Sequence, residues 1–327
     1  MRILTIGPIF GGGIPLVEDI IEAIQTLAIE HRTLNEPDWV QAYQVAAKAR
    51  NPLPFYAKVH QALDQALDEF APDLVLTFAL APLPPGFGQK LKGRGIKSVH
   101  WFFEDGRRFP TFERMASEHT EFFAIQPWVA AFLQEKGVDN ARYLPLGVPI
   151  RCQDTTLTRA NEPDIPLAFV GTPSARRVEL FSQLTEFGLK LWGPGWDQTN
   201  DQLKACGQEG GRWLSRDEER DIYLRASLVV NLHQDSGREG APDFINPRTF
   251  VLAALGVPQV LEDRLELAPL FDLTNELTVF RPATDLSALV REHLQNSEKR
   301  EKQAQRAKER ALSEHLLQHR VAQLLDM

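Results

Sequence analysis

Cysteine is nearly absent from this chain. Only Cys152 and Cys206 occur among 327 residues, which excludes a disulfide framework and offers no zinc-ligand spacing. A surplus of positive charge is also missing. The 36 Lys and Arg stand against 44 Asp and Glu, a net charge of −8, so no nucleic-acid partner is expected and any phosphate must be held by local arginines. No apolar run approaches the roughly 20 residues of a membrane helix. The opening MRILTIGPIF has one basic residue and a short apolar run broken by Gly7 and Pro8, which reads as a first core strand and not as a signal peptide. A cytoplasmic protein without a transmembrane segment is expected. HExxH and an evident D-x-D are absent, the nearest candidate pair being His233 and Asp235, so no bound metal and no cofactor are expected. Internal repeats and low-complexity stretches are lacking too.

What is present is alternation. Strand-like runs at 2–7, 73–79, 96–103, 121–126 and 141–146 are separated by helical patterns such as Val17, Ile20, Ile21, Ile24, Leu27 and Ala28. Such alternation predicts a parallel sheet covered on both faces. A polar segment with two prolines, 151–166, breaks the pattern and reads as a linker. Strands then restart at 167–171, 189–193, 228–233 and 257–262, with helices near 174–187, 216–226 and 247–255. The run NSEKREKQAQRAKER reads as a solvated helix face, and Leu316, Leu317, Val321, Leu324 and Leu325 form an apolar stripe in the tail. The expected domains are 1–150, 160–305 and a terminal helix, 306–327, returning to the first. Two α/β halves facing each other would make a cleft at the carboxyl ends of their strands, where open parallel sheets bind ligands.

The chemistry-bearing residues follow strands. GPIFGGG (7–13) is a glycine-rich loop before a helix, suited to facing a ligand without being G-x-G-x-x-G. HWFFEDGRRF (100–109) gathers His100, Glu104, Asp105, Arg107 and Arg108, with Glu104 the candidate base or acceptor-positioning residue. In VGTPSARR, Gly171 permits close approach, Thr172 and Ser174 offer hydroxyls or a helix cap, and Arg176 and Arg177 stand in a first helical turn where cations oppose the dipole unless an anion compensates. LWGPGW places Gly193 and Gly195 in a rigid turn beside Trp192 and Trp196. In DFINPRTF, which begins at Asp243, Asn246 suits a cap and Pro247 the first helical position, leaving Arg248 in the first turn as a second anion site. Two anion sites on one half fit a diphosphate.

Taken in order, MRILTIGPIFGGG, VHWFFEDGRR, FVGTPSARRVELFSQL, LKLWGPGW, VVNLH…DFINPRTFVLAALGVPQVLED, LFDLTNELTVFRP and EHLLQHRVAQLL resemble the spore maturation protein CgeB family of glycosyltransferase-like proteins. The resemblance implies a GT-B fold of two Rossmann-like domains, an acceptor bound mainly by the first and a nucleoside diphosphate sugar mainly by the second. It implies transfer of a sugar without bound metal, with Arg176, Arg248 and the helix starting near Pro247 stabilising the leaving diphosphate. Gly171, Thr172, Ser174, Trp192, Gly193, Gly195, Asp243, Asn246 and Arg248 would form the donor pocket. Two departures stand out. Val251 replaces a family glutamate that commonly holds the donor ribose, and Leu316 follows the retained His315 in place of threonine. An inactive nucleotide-binding or scaffold protein on the same frame, and an epimerase, are the alternatives. Likeness to retaining GT-B families favours retention, whereas a base at Glu104 implies inversion.

Overall fold

The computed structural model describes residues 1–107, 109, 111–233, 244–281 and 285–325. It divides into two units, one formed by Met1–Leu146 with the terminal segment from Leu317, the other by Gly147–Leu316.

In the first unit, β1 (Arg2–Ile6), α1 (Gly13–Gln25), β2 (Glu30–Thr33), α2 (Trp39–Lys48), α3 (Leu53–Phe70) and β3 (Leu74–Phe78) follow one another. Next come α4 (Phe87–Gly93), β4 (Lys97–Phe102), α5 (Phe112–Glu118), β5 (Glu121–Ala124), α6 (Pro127–Glu135) and β6 (Ala141–Tyr143). The six strands are parallel in the order β2-β1-β3-β4-β5-β6. β3 is buried at every position, as expected where helices cover both faces. α1 forms because Val17, Ile20, Ala23 and Ile24 recur on one face, and all four are buried. The order reverses between β1 and β3, so the loops after these strands flank the switch point where such sheets take ligands.

The second unit repeats the plan. It runs β7 (Ile165–Val170), α7 (Ala175–Ser182), β8 (Leu189–Trp192), α8 (Asp201–Cys206), α9 (Arg216–Arg225), β9 (Ala226–Asn231), α10 (Pro247–Ala254), β10 (Gln259–Glu262) and β11 (Thr278–Phe280). Three helices follow: α11 (Leu286–Gln295), α12 (Ser297–Glu314) and α13 (Leu317–Leu325), the last belonging to the first unit. The five-stranded parallel sheet has the order β11-β10-β9-β7-β8, with its switch point between β7 and β9. Phe169, Phe181, Leu191, Trp196, Leu228 and Val230 are among the residues of its core.

Two expectations for the tail are corrected. The charged run is not merely a solvated face. Arg300, Ala304, Ala307 and Ala311 make a buried stripe on α12, which packs on α10. Alanine is weakly apolar, so the stripe is faint among charges, yet its small size lets two helices approach closely. Nor is 306–327 one helix. It breaks at His315, whose Nε2 lies 2.7 Å from the Leu270 carbonyl oxygen and whose ring sits between Phe250 and Phe271. The His315 carbonyl accepts the Val148 N–H at 2.7 Å. Beyond that break, α13 buries Leu317, Val321 and Leu324 and packs on α1.

Candidate active site

At the switch point of the second unit, β7 ends in Val170 and the backbone turns through Gly171. The Gly171 N–H donates to the Trp192 carbonyl at 2.8 Å. Gly193 adopts φ +112°, and a Cβ there would stand 2.7 Å from the Gly171 carbonyl oxygen. Both the left-handed backbone and this close approach require glycine. The Gly171 carbonyl also accepts Trp196 Nε1–H at 2.7 Å. Trp196 is buried edge-on to Phe169 and Phe181, and Trp192 is buried as well. Thus Trp196 is a core side chain whose one polar atom secures the turn. Gly195, at φ +96°, opens the following turn.

Ser174 caps α7, its hydroxyl accepting the Arg177 N–H at 3.3 Å. The two adjacent arginines diverge from there. Arg176 is half-buried and pairs with Glu262, which also pairs with Arg264. Arg177 is buried. Its Nη1 donates to the Thr172 carbonyl at 2.8 Å and its Nη2 to the Leu232 carbonyl at 2.9 Å. Burial first, then the nearby Arg248 cation, push its pKa down to about 9, which leaves it charged at neutral pH. The Arg177 Nε–H has no hydrogen-bond partner among the described residues.

Asn246 caps α10, accepting the Thr249 N–H at 3.1 Å, and Pro247 fills the first helical position as anticipated. Arg248, in that first turn, reaches back to the sheet. It donates to the Val170 carbonyl at 2.6 Å, the Tyr223 hydroxyl at 3.0 Å and Asn231 Oδ1 at 3.4 Å. Its guanidinium carbon lies 4.9 Å from the centre of the Phe169 ring, and that of Arg177 lies 5.0 Å away. Asn231 is held by Asn246, Thr249 and Gln259. Burial raises the Tyr223 hydroxyl well above its ordinary value, so it stays neutral, donating to Glu219 Oε1 at 2.7 Å.

His233 completes the group. It is buried, and its Nε2 accepts the Asn246 backbone N–H at 3.2 Å. Burial and the fields of Arg264, Arg248, Arg177 and Arg176 hold its pKa well below the usual range. A neutral ring accepting at Nε2 carries its proton on Nδ1. That Nδ1–H has no partner among the described residues, and neither has Arg264 Nε–H. Three buried donors, on Arg177, His233 and Arg264, therefore stand without acceptors among the described residues, and the charges of Arg264, Arg248, Arg177 and Arg176 all act on His233. Glu262 answers two of the four, while Arg177 and Arg248 bond to uncharged oxygens. Each buried unpaired donor costs about 1–3 kcal/mol.

His233, Arg264 and Glu262 carry no phosphate-site signal in the sequence. Arg177 was legible only as one of a pair with Arg176, and the choice between them depends on helix phase. Asp243, Asp235 and Arg108 lie outside the described residues. Val251 is buried in α10. In the first unit, Glu104 is half-buried just after β4. Beside it the buried Asp105 accepts the Arg107 N–H at 3.0 Å, and its Oδ2 has no partner among the described residues. Among the described residues no group of three or more His, Cys, Asp or Glu is placed to hold a metal ion, and no helix is long and apolar enough to cross a membrane.

Residues 176–326 match the family described as glycosyl transferase-like. The chain carries a glycosyltransferase domain on a GT-B frame. Over its whole length the GT-B fold is similar to sucrose-phosphate synthase from Thermosynechococcus elongatus, with TM-score 0.69, 12% identity, and 100% of this chain and 98% of that one covered. It is similar to Anabaena HepE in complex with UDP-glucose, with TM-score 0.66, 12% identity, and 100% and 98% covered. An assigned UDP-N-acetylglucosamine 2-epimerase from Listeria monocytogenes gives TM-score 0.57, 15% identity, and 99% and 94% covered. At these identities the likeness establishes the fold. A search of curated proteins gave no match to the sequence.

Proposed function

We propose that this protein is a CgeB-like GT-B glycosyltransferase of the cytoplasm that moves a sugar from a nucleoside diphosphate sugar to an acceptor. The observation that carries the reading is that three buried donors without partners among the described residues, Arg177 Nε–H, His233 Nδ1–H and Arg264 Nε–H, belong to residues that follow the adjacent strands β7, β9 and β10. As the glycosidic bond breaks, negative charge develops on the departing diphosphate. Fixed donors in a buried site stabilise that charge without reorganising. Arg248 and the capped start of α10 add positive potential, and Arg176 supplies a further cation, shared with Glu262. The backbone at Gly171, Thr172, Ser174, Gly193 and Gly195 would form the floor beneath the phosphates, with Trp192 and Asn246 beside it.

With arginines answering the diphosphate, transfer needs no bound metal. Retention is the proposed stereochemistry, so no protein base has to activate the acceptor. Because a fold neighbour holds UDP-glucose, uridine nucleotides are the first donors to test. Calorimetric titration with UDP, GDP, dTDP and uridine should show a nucleoside diphosphate bound far more tightly than the nucleoside. Absence of binding by any diphosphate would overturn the reading. Turnover abolished by EDTA and restored by magnesium or manganese would overturn metal independence. A binding protein without turnover is the second reading, supported by Val251, whose side chain cannot accept a hydrogen bond from ribose.

A further inference from the structure

A second feature lies wholly within the first unit. The loops after β1 and β3 flank its switch point and enclose a cavity of about 280 Å³, small beside the roughly 300–1,000 Å³ of most ligand pockets. Its walls are mainly apolar. Ile9 and Phe10 come from the first loop, Leu80 to Leu83 from the second. Four aromatic rings follow one another along one side. Phe10 and Tyr43 have centroids 5.0 Å apart, Tyr43 and Phe55 5.6 Å, and Phe55 and Tyr56 6.0 Å. Phe10 and Tyr43 are exposed at 44% and 40%, which leaves their rings available at the mouth. Leu80 holds φ +62°, a left-handed conformation that leucine rarely adopts and that clusters at functional sites.

His100 is a polar residue in this wall, and hydrogen bonding behind it fixes which atom carries its proton. His119 Nδ1 lies 2.6 Å from the Met115 carbonyl oxygen, so Nδ1 is the donor. His119 is neutral, its pKa lowered to about 4 chiefly by burial, and its Nε2 is therefore an acceptor. Thr77 Oγ1 lies 2.9 Å from that Nε2 and 3.4 Å from the Val99 carbonyl. The single hydroxyl proton goes to His119, since otherwise two lone pairs would face each other. The Thr77 oxygen must then accept from His100 Nδ1 at 2.7 Å. With His100 also held neutral by burial, its Nε2 is left as a bare acceptor, buried and without a partner among the described residues.

We propose that this cavity binds a neutral ring alcohol, an aryl or fused-ring molecule whose hydroxyl donates to His100 Nε2 while its ring lies against the aromatic wall. An anion is disfavoured at this atom, because a lone pair faces it, and the cation in the same wall, Arg114, is already answered by Glu118 at 3.1 Å. On the reading of the protein as a glycosyltransferase, that hydroxyl is the acceptor oxygen, and this last step alone rests on that reading.

The test compares β-naphthol with its methyl ether, which lacks the donor, by ligand-observed NMR titration of the full chain. β-Naphthol should bind about 10-fold more tightly, and the preference should vanish in His100→Phe. Because that variant removes a buried network, ¹⁵N NMR of the wild-type imidazoles gives a second readout. It should show His100 protonated on Nδ1, with Nε2 moving toward its hydrogen-bonded shift as β-naphthol is added. Equal affinities, no binding of either probe, or a proton on Nε2 would overturn the proposal. A parallel UDP titration separates the two readings. β-Naphthol preference without UDP binding keeps the cavity and removes its role as acceptor site, whereas UDP binding without that preference overturns the cavity alone.

Discussion

The Asn246 backbone N–H donates to His233 Nε2 at 3.2 Å, and this single bond leaves the proton of a buried, neutral histidine on Nδ1. His233 follows β9 and Asn246 precedes α10. Asn246 uses its side chain to cap the helix and its main chain to set the tautomer. Replacing His233 with Phe keeps the ring volume and deletes Nδ1–H. This variant should weaken UDP binding by about 1.5–3 kcal/mol, the loss of one charge-assisted hydrogen bond, while uridine binding stays within a few-fold. Calorimetry on both ligands reads the difference. Equal weakening would place His233 away from the phosphates.

Arg248 has a different signature, because its guanidinium is bonded into the sheet. Arg248→Ala removes a donor from the Val170 carbonyl and the Tyr223 hydroxyl, leaves Asn231 Oδ1 with Asn246 Nδ2 as its donor, and takes away one of the two guanidinium groups over the Phe169 ring. Stability should fall by about 2 kcal/mol or more, together with a selective loss of UDP over uridine affinity. Arg248→Lys keeps the charge but not the planar fork, so it should recover UDP binding better than stability. Urea unfolding and calorimetry on the two variants would show this split. A variant of unchanged stability would mean that these bonds contribute nothing net.

The periodic segments were the legible part of the fold. β1, β3, β4, β7 and β9 are apolar and buried, and their runs stand out in the sequence. β2, with the sequence EHRT, pairs only with β1 at the sheet edge. Edge strands need not be apolar, so its sequence carries no signal. The cap at Asn246 and the first-turn place of Arg248 follow from local chemistry. The direction in which each arginine points does not. Arg176 and Arg177 are neighbours in sequence, yet one meets Glu262 across 86 residues and the other the Leu232 carbonyl across 55. These distances in sequence are closed by strand order alone. His233 was visible as a strand-end residue, but its role depends on a backbone donor thirteen positions on.

The histidine relay of the first unit makes stability depend on pH. An unfolded imidazole titrates near 6.5, whereas burial lowers folded His119 to about 4, with Arg114 acting in the same direction and the Met115 carbonyl opposing. Between these values the unfolded chain holds more protons than the folded one, so stability rises with pH across the window. Acidification from about pH 6.5 to about 4 should therefore remove on the order of 3 kcal/mol through His119, and His100, lowered in the same direction, adds to the loss. Urea unfolding of wild type and His119→Gln across this range isolates the effect. The variant should show a shallower dependence, and parallel curves would mean that His119 titrates normally in the folded protein.

The terminal helix gives the sharpest stability test. α13 follows the break at His315 and buries Leu317, Val321 and Leu324 at helical spacing, and it packs on α1. Arg320, also buried, points its Nε at the Leu146 carbonyl at 3.4 Å. α1 has its own buried row of Val17, Ile20, Ala23 and Ile24, so the two apolar stripes complete one another. Leu324→Ala should lower the stability of the first unit by about 2–5 kcal/mol, the transfer and cavity terms together. Deleting the chain from Leu317 should do more, exposing apolar surface that binds a dye such as ANS. The second unit has its own core, so UDP affinity should change little in either variant. Hydrogen exchange read peptide by peptide would locate the loss. Faster exchange in α1 and β1 with unchanged protection in β7 and β9 is the expected outcome. Unchanged exchange in α1 would show that the helix adds nothing to the first unit.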